Sequence, residues 1–255
     1  MKAVILAGGL GSRLSTNETD LPKPMTQIGN KPILWHIMKH YSEFGINQFV
    51  ICAGYKGYAI KEYFLNYAAH ASDIEIDILN TSVKILNQRT EPWKIQIIDT
   101  GLETMTGGRL KRIANYVDDE FCLTYGDGLA NVDISGLLDS HRLSKSLVTV
   151  TAVHLPGRFG SLSISDKKVI DFQEKADNET AWVNGGFFVV DKKALSYVDS
   201  ESTVWEREPL QRLAREGQLN AWIHEGFWLP MDTPRDLKEL QRLWDTNEAP
   251  WKIWQ

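Results

Sequence analysis

The stretch Gly8, Gly9, Leu10, Gly11, Ser12, Arg13, followed by Lys23 between Pro22 and Pro24, combines residue types suited to a phosphate chain. Glycines let bare backbone N–H groups approach an anion where a Cβ would obstruct it. Arg13 is a planar multi-donor cation, and Lys23 is a point charge aimed by a stiff, extended Pro-Lys-Pro segment. The loop fits neither of two common phosphate loops. From Gly9 it reads G-L-G-S-R-L, without the third glycine of a dinucleotide fingerprint, and Gly11-Ser12-Arg13 stands where a P-loop carries Gly-Lys-Ser/Thr. A tight strand-to-helix turn with surface charges is the plainer alternative. Two carboxylates also stand out: Asp127 between Gly126 and Gly128, and Asp232 in the run WLPMDT. A compact carboxylate flanked by glycines can meet a ligand without steric cover, yet Asp in G-D-G is also a common turn residue. Asp232 could equally cap a helix beginning near Pro234.

The elements that must position these groups alternate. Lys2 to Leu6 is apolar enough for a buried first strand, and it breaks at the glycines. Pro32 to Phe44 has helical apolar spacing, proline in its first turn and Gly45 after it. Gln48 to Ala53 reads as a strand, Gly57 to His70 as one amphipathic helix, and Ile74 to Leu79 and Lys94 to Ile98 as further strands. Thr106 to Asn115 reads as a helix capped by its threonine, and Phe121 to Tyr125 as a buried strand running into Asp127. This alternation predicts an α/β fold with a Rossmann-like, mostly parallel central sheet flanked by helices, with ligands beyond the carboxyl ends of the strands. From Leu147 the runs LVTVTAV, SLSIS, VIDFQE and WVNGGFFVV suggest a smaller mixed β region, before helix returns over Glu208 to Gly217 and Pro234 to Thr246. We expect one domain over 1–255, with a first part to about 146 and a second part, including the C-terminal helices, from about 147.

Composition bounds the function. A net charge of −5, with both signs mixed along 255 residues, gives no basic face for nucleic acid. Cys52 and Cys122 lie in apolar strand-like runs, which points to reduced, buried thiols in a cytoplasmic protein. Met1 leads straight into a strand, and no apolar run approaches the roughly 18 residues of a membrane span, so neither a leader nor a membrane partner is expected.

The ordered set GGLGSRL, PKPM, IGNKPIL, EPWK, DTG, MTGGRLKR, TYGDG, PGRFG, FQEK, NGGFFV, WEREPL and GFWLPMDT resembles the sugar-phosphate nucleotidyltransferases, over nearly the whole chain. Within them it looks most like the branch that uses CTP and glucose 1-phosphate, especially in EPWK, MTGGR and GFWLPMDT. The resemblance implies attack of a sugar 1-phosphate on the α-phosphorus of a nucleoside triphosphate. The attacking phosphate monoester is already largely dianionic near neutrality, with its second pKa about 6, so no general base is needed. Rate should come from positioning two anions and stabilising the departing pyrophosphate. The resemblance further implies that Asp127 and Asp232 share one Mg²⁺, that Arg13 and Lys23 meet the triphosphate, and that Lys175 meets the sugar phosphate. Glu174, Asn184 and Gly185 would contact the sugar, while Leu6, Ala7, Gly8, Gly9, Thr104, Gly108, Arg109 and Gly126 would surround the nucleotide with Leu10 to Arg13. Ala176 replaces the proline usual after the Glu-Lys pair, which leaves that loop less stiffly held. A uridylyl- or thymidylyltransferase using the same residues, and a silent nucleotide-sugar-binding regulatory subunit, are the alternatives.

Remaining features read more plainly. His36 and His40, four apart on a helix face, lack a third ligand for a metal site, and Tyr55, Tyr58, Tyr63 and Tyr67 suit packing or an interface. Trp251 and Trp254 near the end are expected to pack on another subunit of a homo-oligomer.

Overall fold

A computed structural model of the chain describes residues 1–9, 21–154 and 182–254, and the backbone pairing of 161–165 with 168–173. In chain order the strands are β1 Ala3–Ala7, β2 Gln27–Ile28, β3 Lys31–Pro32, β4 Gln48–Ala53, β5 Ile74–Asp77, β6 Ser82–Ile85, β7 Lys94–Asp99 and β8 Glu120–Tyr125. They continue as β9 Gly128–Ala130, β10 Val148–His154, β11 Ser161–Ser165, β12 Lys168–Gln173, β13 Trp182–Asp191, β14 Leu219–His224 and β15 Trp228–Pro230. The helices are α1 Ile33–Glu43, α2 Gly57–Leu65, α3 Tyr67–Ala71, α4 Thr106–Arg112, α5 Ile134–Ser144, α6 Glu208–Arg215 and α7 Pro234–Asp245.

Seven strands form one sheet in the order β14-β10-β13-β8-β1-β4-β7. β1 lies parallel to β4 and β8, β4 to β7, and β10 to β14, while β13 is antiparallel to both neighbours. The Rossmann-like expectation therefore holds, with one reversed strand. Of the four β runs after Leu147, two join the central sheet as β10 and β13, and β11 and β12 pair with each other.

Alternation in β1 explains its central place. Ala3, Ile5 and Ala7 pack on one face with α1 residues such as Ile33 and Ile37, and Val4 and Leu6 pack on the other with Leu110 and Trp205. Burial on both faces is what a near-continuous apolar run specifies for a parallel strand.

Three local expectations are corrected. The helix expected over Gly57 to His70 is two helices broken at Asn66, whose side-chain amide donates to Glu62 O at 2.9 Å instead of leaving the turn undisturbed. Ile74 leads not into a lone strand but into the β5–β6 hairpin. Thr106 does not cap α4: Met105 occupies the N-cap, and the threonine hydroxyl is engaged elsewhere.

The C-terminal tryptophans are also corrected. Trp251 is 0% and Trp254 8% exposed, both within this chain's own core. Trp251 lies against Phe227 and Trp244, Trp254 meets Trp35, and the Trp251 indole N–H points at His36 Nδ1, 3.4 Å away. They bind the chain's end to α1 rather than to another subunit. His36 and His40 are buried behind them, with Nε2 atoms on Ile28 O and Val132 O. Burial lowers both to about 4, as neutral core histidines. Cys52 and Cys122 are free and buried, and burial pushes both thiols up to about 12. Among the described residues no helix is long and apolar enough to cross a membrane.

Candidate active site

Beyond the carboxyl ends of β1 and β8 lies a cleft of about 370 Å³, lined by Leu6 to Gly9, Lys23, Pro24, Thr104 to Thr106, Arg109, Tyr125 to Asp127 and Asp232. That is where an open α/β sheet places its ligand, and its size is within the range of small-molecule pockets.

Lys23 begins a single helical turn, Lys23–Met25, closed by a bond from Met25 N to Pro22 O at 2.8 Å. Its Nζ donates to Asp127 Oδ2 at 2.6 Å and to Asp232 Oδ1 at 2.9 Å. Burial alone would lower the Lys23 ammonium, but the two carboxylates outweigh it and raise the group above its ordinary value. Asp127 and Asp232, far apart in sequence, meet because β15 pairs antiparallel with β9 and Met231 N bonds Asp127 O at 2.8 Å. The capping alternative for Asp232 fails on geometry. α7 is capped by the Thr233 side chain in a capping box with Asp236, which frees the Asp232 carboxylate for Lys23.

Two carboxylates converging on one cation are the hard-oxygen pair that Mg²⁺ takes, usually with phosphate oxygens and water. An ammonium already bridges them, so this pocket of the fold accommodates positive charge, and the donor chemistry fits the ion.

Arg109, which also lines the cleft, is 4% exposed. Its Nη1 donates to Thr100 Oγ1 at 2.7 Å, Gly101 O at 2.8 Å and Ala53 O at 3.3 Å, and its Nη2 to Gly8 O at 2.9 Å and Leu102 O at 3.4 Å. Every one of these acceptors is neutral, and burial lowers the guanidinium from its ordinary value. Arg109 thus ties the turn after β1 to the ends of β4 and β7. Gly8 is glycine for this reason, since a Cβ there would stand 2.2 Å from Arg109 Nη1. Among the described residues, nothing lies within 4 Å of a Cβ placed on Gly9, which lines the cleft.

Gly126 is packed from below, with its N–H on Leu6 O at 3.0 Å and its Cβ direction against Leu6 O and Pro24. Gly108 is turned away from the cleft. Its N–H bonds Thr203 O at 3.2 Å, and a Cβ would stand 2.3 Å from Glu201 O. Asn184 and Gly185 sit beside the cleft instead of lining it: the Asn184 amide N–H points at the Tyr125 hydroxyl at 3.3 Å, and Gly185 O accepts from Trp228 Nε1 at 2.7 Å. Leu10, Gly11, Ser12, Arg13, Glu174 and Lys175 lie outside the described residues.

Met105 and Thr106, in the Thr104 to Arg109 segment that the resemblance assigns to the base, line the cleft, and Tyr125 lines it without having been singled out in the sequence as a site residue. Tyr125 ends a strand immediately before the GDG turn, which is the one sequence signal that it would face the ligand. Its phenol is held well above its ordinary pKa by burial and then by the Glu206 charge.

Fold and cleft define a class, the α/β enzymes that gather phosphates at the carboxyl ends of a central sheet, and comparison with known proteins names it. The chain belongs to the nucleotidyl transferase family, whose model matches residues 2–246. It is 52% identical over 257 residues to a glucose-1-phosphate cytidylyltransferase of Salmonella typhi, covering 100% of both chains. It is 43% identical, again over 100% of each, to a probable glucose-1-phosphate cytidylyltransferase of Bacillus subtilis. Among solved structures, HddC from Yersinia pseudotuberculosis shares the fold with a TM-score of 0.69 at 24% identity, over 94% of this chain and 98% of that one.

Proposed function

We propose that this nucleotidyltransferase transfers a cytidylyl group from CTP to α-D-glucose 1-phosphate, releasing pyrophosphate and CDP-glucose, a product suited to surface-polysaccharide deoxysugar synthesis in the cytoplasm. The observation that carries the reading is the Lys23, Asp127 and Asp232 cluster in the cleft beside Gly8 and Gly9. The full-length relatives named for CTP and glucose 1-phosphate support the choice of substrates. An oxygen of the sugar phosphate forms a bond to the α-phosphorus as the bond to the β-phosphate oxygen breaks, and pyrophosphate leaves with that electron pair. Asp127 and Asp232 would hold Mg²⁺, which screens the facing anions and the charge developing on the leaving group. Lys23 and Arg13 would draw the triphosphate into line, with backbone N–H groups of the glycine turn as further donors. Lys175 would receive the sugar phosphate, with Glu174 and Asn184 on the sugar hydroxyls. Thr104 and the backbone from Leu6 to Gly9, braced by Arg109, would frame the base.

The deciding experiment is pyrophosphate release with Mg²⁺, crossing CTP, UTP, dTTP, ATP and GTP with the 1-phosphates of glucose, galactose and mannose. Release favouring CTP with glucose 1-phosphate is expected. Preference for another pair overturns the substrates, and no release from folded, nucleotide-binding protein overturns the enzyme reading.

We also infer self-association, through a surface other than the terminal tryptophans. In the β5–β6 hairpin the facing pairs Ile74–Ile85 and Ile76–Val83 alternate with Glu75–Lys84 and Asp77–Ser82, so one face is wholly apolar. Ile78 and Leu79 at its tip are 83% and 91% exposed. Val83, Ile85 and Leu86 are 63%, 41% and 42% exposed beside them, so the hairpin leaves a contiguous apolar patch of the kind that marks an interaction site. A face without charge is complementary to itself, and a second copy of the chain is the partner we assign. Ile76→Glu should reduce the sedimenting mass to that of one chain while leaving the fold unchanged. A wild-type chain that sediments as a monomer at micromolar concentration sinks the idea.

A further inference from the structure

The WEREPL motif contributes Glu206, which the reaction outlined above does not use. Its carboxylate lies behind the cleft and accepts two hydrogen bonds: from Tyr125 Oη at 2.5 Å and from Thr106 Oγ1 at 2.6 Å. Thr106 and Tyr125 both line the cleft, one at the start of α4 and the other at the end of β8. The Thr106 hydroxyl also accepts from Trp205 N at 2.9 Å, so its proton is committed to Glu206.

The polarity of the chain of bonds follows from the donors available. An ionised carboxylate only accepts, so the Tyr125 hydroxyl must spend its single proton on Glu206 and can offer only a lone pair to Asn184. Asn184 therefore turns its Nδ2 toward Tyr125, at 3.3 Å, and its Oδ1 toward Gly186 N, at 2.8 Å. Gly186 is itself fixed in the left-handed region at φ +80°, where a Cβ would stand 2.6 Å from the Tyr125 ring. With one face of the amide defined on both sides, its remaining N–H and carbonyl lone pair have a set direction.

We propose that Glu206 is a positioning residue for the sugar: through the Tyr125 hydroxyl it dictates which way the Asn184 amide faces the sugar hydroxyls. This rests on the assignment of Asn184 to the sugar under the proposed function. Glu206 touches no substrate itself.

The test compares Glu206→Gln and Tyr125→Phe with wild type, using the nucleotide and sugar phosphate pair that wild type turns over best. Glu206→Gln keeps the shape but can donate to the tyrosine, which takes the lone pair that holds Asn184 Nδ2 and leaves its amide held only by the Gly186 N–H. Tyr125→Phe removes the relay. Loss of a hydrogen bond of this kind predicts a rise of about tenfold in KM for the sugar phosphate. KM for the nucleotide should stay within about twofold, and the two changes combined should cost no more than the larger one alone. The side-chain amide resonances of Asn184 should shift in both variants. A sugar KM within about threefold of wild type in both, or an equal rise in both KM values, overturns the proposal. The amide resonances can be read without turnover, so an inactive wild type would sink the function while leaving the relay testable.

Discussion

Two cations line one cleft, and their surroundings are opposite in kind. Arg109 is buried among four carbonyls and a threonine hydroxyl, none carrying charge. Lys23 bridges two carboxylates that are 32% and 41% exposed. A guanidinium is more weakly hydrated than an ammonium and can satisfy several acceptors in one plane, so it can be buried to hold backbone segments together. An ammonium between two partly wet carboxylates is neutralised rather than locked, and under the proposed function it would exchange partners for phosphate oxygens. The difference separates a cation that builds the cleft from one that works in it.

That separation can be broken at either end. The largest effect is expected at the working end. Asp127→Asn should lower kcat by roughly a thousandfold, as loss of a metal ligand and of transition-state charge stabilisation would, and leave the circular dichroism spectrum unchanged. Near-normal turnover at limiting Mg²⁺ would remove Asp127 from the metal. At the building end the order reverses. Arg109→Met should cost roughly 3 kcal/mol of stability in urea unfolding, because buried carbonyls at Gly8, Ala53 and Gly101 lose their donor. Should Arg109→Met unfold no more readily than Lys23→Met, the distinction between the two cations is lost.

A third measurement keeps the comparison clean, because neither cation titrates between pH 5 and 7. His36 and His40 do matter there: buried and neutral, they are lowered to about 4 in the fold against 6.5 in the unfolded chain. The unfolded state then binds more protons as pH falls, so their stability is full above pH 6.5 and is lost toward pH 4. The loss should be roughly 2 kcal/mol per histidine between pH 7 and 5, seen as a lower urea midpoint. Replacing His40 with Gln should remove about half of that slope, and an unchanged slope would assign the pH dependence to other groups.

The central sheet was legible because its strands carry apolar runs that no other element would bury, and Asp127 because a strand runs straight into it. Glycine was where sequence reading reached its limit. Gly8 lines the cleft as expected, yet the space a Cβ would take at Gly8 or at Gly108 is filled by the chain itself, by Arg109 and by Glu201. A loop's letters do not say which distant segment will lie against it. The same blindness sent Trp251 and Trp254 to a second subunit, since their partners Phe227, Trp244 and Trp35 gather only in the folded chain. The pairing of Asp127 with Asp232 came from resemblance alone, and the β9–β15 ladder supplies its physical cause.

The span of the Lys23 bridge carries a last consequence, in time rather than in space. Lys23 and Asp232 are 209 residues apart. At synthesis rates of ~5–20 residues per second, roughly ten to forty seconds separate the emergence of the ammonium from that of its second carboxylate. During that interval a nascent chain can pair β1 with β4 and already present its glycine turn, while the cation cluster is still incomplete. The cluster therefore closes late, and a slow or stalled ribosome would hold a nearly finished protein in which Lys23 has one of its two carboxylates.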